Sequence, residues 1–253
     1  MDKVIGARRR VNLLGATVDA MTQAQTVSLV DKYIKLKEPL HLIGVNADKI
    51  NMMQKNSEFS KLVNNCGIIN ADGISLVLAS RVLGKKIPER VAGIDLMEAL
   101  IKDSAKNGHR VFLLGAKEVV VRKAANVLSR ANPKLKIVGV QNGYFERQDW
   151  SCIYKMLTKT NPDIIFVGIT SPIKEELVNY FQSMGSNAVF MGVGGSFDVI
   201  SGKIARAPQW MQVCGLEWLF RVIKEPRRLL KRYLVGNLRF IHTVFLEKIR
   251  WRK

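Results

Sequence analysis

Gly192-Val193-Gly194-Gly195-Ser196-Phe197-Asp198 follows directly on the apolar run Ala188-Val189-Phe190-Met191. That run has the composition of a buried strand. Three glycines within four positions then remove the side chains that would hold a ligand away, so backbone amides can approach a phosphate or a sugar. Turns of this kind build sites at the carboxyl ends of strands in α/β proteins. Immediately beyond, Ser201-Gly202-Lys203-Ile204-Ala205-Arg206-Ala207-Pro208-Gln209-Trp210 shifts the composition toward arginine and aromatic residues, which continue to the terminus. The stretch is thus both a candidate site and a border, dividing an α/β core, 1–200, from a basic helical appendage, 201–253. It fails the dinucleotide fingerprint, because Phe197 stands where the third glycine of G-x-G-x-x-G would fall, and this argues against a redox enzyme using NAD.

Upstream, the order strand, turn, helix repeats. Residues 163–167 and Gly168 lead through Thr170-Ser171-Pro172 into a helix over 174–184; 136–140 precede Gly143-Tyr144-Phe145; and 110–114 run through Gly115-Ala116 into a helix over 118–130. This alternation predicts an α/β fold of parallel-sheet layers with a Rossmann-like second half from about Arg110. In the first half, 11–18 reads as a first strand and Thr22 as the N-cap of a helix running to Lys35. Residues 40–45 read as a strand ending at Asn46, and 68–71 as a strand entering Asp72-Gly73 before the apolar helix 74–83. A basic connection over 85–93 leads into a helix over 94–107. Asn46 and Asp72 are therefore polar groups at two successive strand ends. Asp72 has the setting of a general base or of an N-cap for the helix that follows, and the pattern alone favours the cap. Asp95 and Asp198, each shortly after a glycine, carry the same ambiguity. Gly115 has the setting of a diphosphate cradle, although any tight turn from strand to helix asks for a glycine.

The formal net charge is +19, and residues 201–253 hold thirteen lysines and arginines against three acids. Such a surface attracts nucleic acid, an anionic membrane leaflet or phosphorylated ligands. Leu234, Leu238, Ile241, Phe245 and Ile249 recur at helical spacing among Arg232, Arg239, Lys248 and Arg250, with Pro226 starting the helix and Trp210, Trp218 and Trp251 nearby. This combination describes an interfacial helix. No nucleic-acid motif is present, so nucleic acid is not expected as a partner, and a non-catalytic nucleotide- or nucleic-acid-binding basic protein is the alternative reading. No apolar run approaches the roughly 18 residues of a spanning helix. Arg8-Arg9-Arg10 and the residues after it read as a strand rather than an export signal, because Asn12 and Gly15 interrupt the apolar run. Cys66, Cys152 and Cys214 are widely spaced and encode neither a disulfide framework nor a zinc site, which fits a reducing cytosol. His41, His109 and His242 lack metal-ligand spacing and read as structural or surface residues. The chain also lacks any Asp-x-Asp pair, so a bound diphosphate would be neutralised by arginine, lysine and amides rather than through a divalent cation.

Asn46, Asn70-Ala71-Asp72-Gly73, Glu89-Arg90-Val91-Ala92-Gly93-Ile94-Asp95, Phe112-Leu113-Leu114-Gly115, Gly143-Tyr144-Phe145, the stretch from Gly192 to Asp198, Arg206-Ala207-Pro208, Gly215-Leu216-Glu217-Trp218-Leu219-Phe220-Arg221 and Glu225-Pro226-Arg227-Arg228 occur in this order. Together they resemble the WecG/TagA/CpsF glycosyltransferases over nearly the whole chain. The resemblance implies an inverting enzyme of bacterial cell-surface polysaccharide synthesis. It would move a sugar, often N-acetylmannosamine or its uronic acid, from a UDP donor to an undecaprenyl-diphosphate-linked acceptor, without metal or other cofactor. It implies Asp72 as base and Arg90 as the cation facing the departing UDP. Asn46, Gly73, Gly115, Lys174, Glu175, Gly192, Gly194, Gly195 and Asp198 would bind substrates. Arg206, Arg221, Arg228, Lys231 and Arg232 of the appendage would meet the diphosphate or the membrane. The expected location is the cytoplasm, peripheral on the inner face of the cell membrane, and a homo-oligomer is left open. Two positions depart from the family pattern: Gly44 stands where many members carry threonine, and Lys174 where many carry glutamine.

Overall fold

The computed structural model describes residues 8–250, apart from the side chains of Arg228 and Arg232; Trp251, Arg252 and Lys253 lie outside the described residues. The chain opens with β1 (Arg10–Leu13) and β2 (Ala16–Asp19), which pair antiparallel. Residues 11–18, expected as one strand, are therefore a hairpin. Leu14 and Gly15 take positive φ of 54° and 88°, the two-residue geometry whose twist suits a hairpin. The hairpin is fastened to the main sheet through Asp19, which accepts the Ile69 amide at 2.8 Å and pairs with Arg10 at 3.0 Å.

The following elements are α1 (Gln23–Leu36), β3 (Leu40–Val45), α2 (Ala47–Lys55), α3 (Ser57–Asn64), β4 (Ile68–Ala71), α4 (Ile74–Val82) and α5 (Gly93–Asn107). The second half holds β5 (Arg110–Gly115), α6 (Glu118–Ala131), β6 (Lys136–Gln141), α7 (Trp150–Thr160), β7 (Ile164–Gly168), α8 (Ile173–Ser183), β8 (Val189–Gly192) and α9 (Ser196–Ile200). Thr22 caps α1 as expected, and Gln25 completes a reciprocal capping box. The six strands form one sheet in the order β4-β3-β8-β7-β5-β6, every neighbouring pair parallel. The two halves thus share one sheet, joined where Leu40, His41 and Leu42 pair with Val189, Phe190 and Met191.

Strand alternation divides the core. Leu42, Val111, Leu113, Phe166 and Met191 face a cluster shared with α1, α5 and α6. The opposite face carries two clusters, one from Ile43, Val45 and Ile69 with α2, α3 and α4, the other from Phe112, Leu114, Ile165 and Phe190 with α7 and α8. Beyond the core come α10 (Gln209–Val213), α11 (Glu217–Lys224) and α12 (Pro226–Arg250), with Pro226 opening α12 as the sequence indicates. The last helix lies on α2, where Asn51 donates to the Gly236 carbonyl at 2.9 Å, and Phe240 inserts into the cluster under β3 and β4.

The turns after β5 and β7 meet so closely that a Cβ on Gly115 would come within 2.5 Å of the Gly168 backbone, at a φ of +135°. Gly115→Ala is expected to lower stability by roughly 1–3 kcal/mol from overpacking and strain. Gly194→Ala, at φ +53° with nothing near its Cβ position, is expected to cost roughly 1 kcal/mol. Urea unfolding midpoints of the two variants check the order.

Candidate active site

The carboxyl edge of the sheet gathers the polar groups. Asp72 follows β4, and its amide donates to the Val45 carbonyl at 2.9 Å, locking it beside the end of β3. It does not cap the helix that follows: the N-cap of α4 is Gly73, with no side-chain bond. Its Oδ1 instead accepts the amide of Gly93, the first residue of α5, at 2.8 Å. The carboxylate therefore meets a helix N-terminus from another part of the chain. Burial raises the Asp72 pKa above its ordinary value, against the Gly93 amide and the charges of Arg90, Arg221 and Lys49, which pull it down. Gly44 lies directly beneath: a Cβ there would fall 2.8 Å from that of Asp72, so the absence of a side chain admits this placement. Asn46 caps α2 by accepting the Lys49 amide at 3.1 Å, and Gly73 packs against it.

A groove of about 640 Å³ opens above Asp72. Asn46, Asp48, Arg90, Glu217 and Arg221 surround its polar end. Its walls are mostly apolar, with Leu78, Ala79 and Val82 of α4, Phe240, Ile241, Val244 and Phe245 of α12 and Trp218 of α11, while α12 also contributes Tyr233, Asn237 and Lys248. Sequence reading names neither Leu78 nor Val82. The signal was that α4 carries apolar residues beyond a single face, which gives it one side for the core (Leu76, Val77) and another, with Leu78 and Val82 each 52% exposed, for the groove. The stripe of Leu234, Leu238, Ile241, Phe245 and Ile249 is not the face that packs α12 onto the core; each of the five is 41–63% exposed. Packing falls to Leu229, Phe240 and Val244.

The glycine turns lie further along the same edge. Ala116 donates to the Gly168 carbonyl at 3.1 Å and Gly143 to the Ala116 carbonyl at 2.9 Å, drawing the turns after β5, β6 and β7 together. Phe197, the residue that breaks the dinucleotide pattern, is fully buried, and its ring lies against Gly168. Gly194 and Gly195 face open space apart from the Asp198 carboxylate near Gly195, whereas Gly192 is covered by the Lys174 stem. Asp198 pairs with Lys203 at 2.6 Å.

Between the two core clusters of that face runs a seam of buried charge. Glu175 Oε1 accepts from Lys49 Nζ at 2.8 Å and Ser171 Oγ at 2.9 Å, with Lys174 Nζ at 3.4 Å. The Lys174 and Glu175 side chains are 7% and 0% exposed. Burial opposes ionisation of Glu175, yet Lys174, Lys49 and the hydrogen bonds hold its pKa down at about 2. Burial, helped by Lys49, lowers Lys174 to about 8. Deeper still, burial lowers His41 to about 3 and pushes the adjacent Cys66 thiol up to about 12, leaving that thiol unreactive. Lys49 is the member that sequence reading missed, because a lysine in a short amphipathic helix reads as solvated.

Arg90 stands beside Asp72, with Nε donating to the Asp72 carbonyl at 3.2 Å, Nη1 to the Gln212 carbonyl at 3.1 Å and Nη2 to Glu217. Arg206 is joined to Asp95 and Glu98 of α5. Arg221 lines the groove, and Lys231 is exposed on α12. Arg228 and Arg232 belong to the same helix, their side chains outside the described ones. Among the described residues, Asp31, Asp103 and His109 form one group able to hold a metal ion. It lies at the opposite edge of the sheet, where His109 approaches Asp31 at 2.9 Å and Asn107 donates to both acids.

A parallel sheet carrying a buried carboxylate, glycine turns and an amphipathic groove along its carboxyl edge defines an α/β enzyme. The model of the glycosyl transferase WecG/TagA/CpsF family matches residues 11–253, and the chain belongs to that family of glycosyltransferases. It is similar to the N-acetylglucosaminyldiphosphoundecaprenol N-acetyl-beta-D-mannosaminyltransferase of Bacillus subtilis (strain 168), with 34% identity over 196 residues, covering 78% of this chain and 76% of the relative.

The seam yields a stability test. Glu175→Gln strands two buried ammonium groups and is expected to cost about 3–5 kcal/mol. Lys174→Met leaves Lys49 and Glu175 paired and is expected to match or exceed the parent at pH 7. Its advantage fades as pH rises from about 8 toward 10.5, because over that window the native Lys174 has lost its proton while the unfolded one keeps it. Urea titrations across that range read both effects.

Proposed function

We propose that the chain transfers an N-acetylmannosaminyl-type sugar from a UDP donor to an N-acetylglucosaminyl-diphosphoundecaprenol-type acceptor, in the synthesis of a bacterial cell-wall polysaccharide. The name of the Bacillus subtilis relative describes that sugar and that acceptor for the relative; the UDP donor and the inverting course are our reading. The observation that carries the proposal is the two-ended groove. Its polar end, at Asp72 and Arg221, suits a sugar diphosphate, and its apolar walls on α4 and α12 suit the first isoprene units of a lipid.

In this reading Asp72 takes the proton of the acceptor hydroxyl as that oxygen attacks the anomeric carbon opposite the diphosphate. The new carbon–oxygen bond forms as the bond to the diphosphate breaks, and UDP departs with inversion. Its raised pKa makes Asp72 a stronger base than an ordinary aspartate, while Gly93 and the surrounding cations favour the ionised form needed to accept the proton. Arg221 faces the departing diphosphate, and the open Gly194-Gly195 turn receives the nucleotide; the charge is met without a metal ion. Among the described residues no helix is long and apolar enough to cross a membrane. The appendage, 201–253, would instead lay the exposed stripe of α12 and its lysines and arginines on the inner leaflet, where a lipid-linked acceptor is presented.

Asp72→Asn is expected to lower turnover about 10²- to 10⁴-fold while UDP binding by calorimetry persists. The assay pairs UDP-N-acetylmannosamine with the lipid-linked acceptor in excess EDTA, and near-normal turnover of the variant would remove Asp72 from the role. For the appendage, Leu238→Glu with Ile249→Glu changes two exposed positions and should abolish most sedimentation with anionic vesicles at low salt. Full sedimentation of this double variant would place the anchor elsewhere.

A further inference from the structure

Arg90 spends its guanidinium on the protein. One nitrogen holds the carbonyl of Asp72, and the other two hold the Gln212 carbonyl and the Glu217 carboxylate, at the end of α10 and the start of α11. The residues after Arg90 grip the same strand end: Val91 donates to the Ala71 carbonyl at 2.8 Å, and Gly93 to the Asp72 carboxylate at 2.8 Å. The segment 90–93 thus fixes both the main chain and the side chain of Asp72, while its guanidinium reaches across to the appendage. The turn between α10 and α11 is seated there as well. Gly215 has φ +70°, and a Cβ on it would lie 2.8–2.9 Å from the Ile74 side chain at the start of α4.

On α11, Glu217 and Arg221 are four residues apart and so share one face. Pinning Glu217 to Arg90 fixes the rotation of that helix about its axis and turns Arg221 into the groove, where its charge acts on Asp72. The geometry points to Arg90 as a positioning residue: it registers α11 against the Asp72 loop through Glu217 and Gln212, so that the appendage delivers Arg221 to the site. This rests on the reading of Asp72 as the base. It differs from a role in which Arg90 itself contacts the departing diphosphate, because that role requires a guanidinium released from Glu217.

Glu217→Gln separates the two roles. The groups facing Asp72 are Arg90 from the 90–93 segment, Lys49 and Asp48 from α2, Glu217 and Arg221 from α11, and Lys248 from α12 at the far end of the groove. Removing the Glu217 charge alone would ease ionisation of Asp72 and move the acidic limb of the kcat/KM profile to lower pH. Letting α11 turn, and with it Arg221, would move that limb to higher pH. We expect the upward shift, at least a tenfold loss of kcat/KM, and faster amide hydrogen exchange over 209–224 with exchange over 189–192 unchanged. Arg221→Gln should reproduce the upward shift with exchange over 209–224 as in the parent. A downward or absent shift in Glu217→Gln with parental exchange, or an unmoved limb in Arg221→Gln, overturns the inference. The exchange measurement needs no substrate, so it still reads the tie if the parent enzyme fails to transfer the expected sugar.

Discussion

The pairing of β3 with β8 holds the site together. Leu40 to Leu42 and Val189 to Met191 come from opposite ends of the core, and their ladder is the seam along which the two halves become one sheet. Because every strand in it is parallel, all six end on one edge. The β3 end, carrying Asn46 and bonded through Val45 to Asp72, is thereby set beside the β8 end with its glycine turn. On the proposed reading this places the acceptor's base next to the donor's turn. Ligand sites in open α/β sheets form where strand order changes direction. Here that point falls where the early strands meet the late ones.

Much of this was legible in the sequence. The strands of the sheet and most helices follow from apolar periodicity, and the Thr22 box and the start of α12 at Pro226 follow from capping chemistry. What sequence could not supply was anything decided by partners remote along the chain. The order β4-β3-β8-β7-β5-β6 is one such case. Another is Asp72, whose neighbours favour a cap for the next helix but whose carboxylate is claimed by Gly93. Lys49 is a third, drawn inside by Glu175 from a helix facing the other half of the sheet. The hairpin was local and could have been found, since a glycine midway through a short apolar run marks a turn as readily as an interruption. Helix α3 also announces itself in retrospect, with Asn56 capping it and Phe59 and Val63 one turn apart on its buried face.

The apolar stripe of α12, read from the sequence as the face of an interfacial helix, is separate from the face that packs the helix onto the core. A helix buried on one side should carry one apolar face, and the sequence of α12 offers a conspicuous one. The structure buries a different set, Leu229, Phe240 and Val244, and leaves the conspicuous stripe outward or along the groove. Helix α4 has the same double character. Two helices that are each apolar beyond what the core requires stand side by side, and the groove lies between them. Surplus hydrophobicity of this kind has a use only if something apolar is brought to it.

Charge is distributed on the same principle of surplus. The buried seam has two lysines for one carboxylate, and burial disfavours the ammonium of Lys174, so the arrangement is costly for stability. It joins α2 to α8, with Lys49 of the one meeting Glu175 of the other. The cluster contributes a fixed positive field, and Lys49 already acts on Asp72 from within it. Arg90 and Arg221 add to that field from the loop and from the appendage. The carboxylate thus feels cations from three separate parts of the chain, with Lys49 held by Glu175 and Arg90 by Gln212 and Glu217. For a base that must be ionised before reaction and neutral after it, in a site that on the proposed reading also receives a diphosphate, this surplus favours both the charged base and the departing group. The same cations oppose proton transfer to Asp72, and its desolvation works against them. The raised pKa shows that desolvation prevails in the free protein.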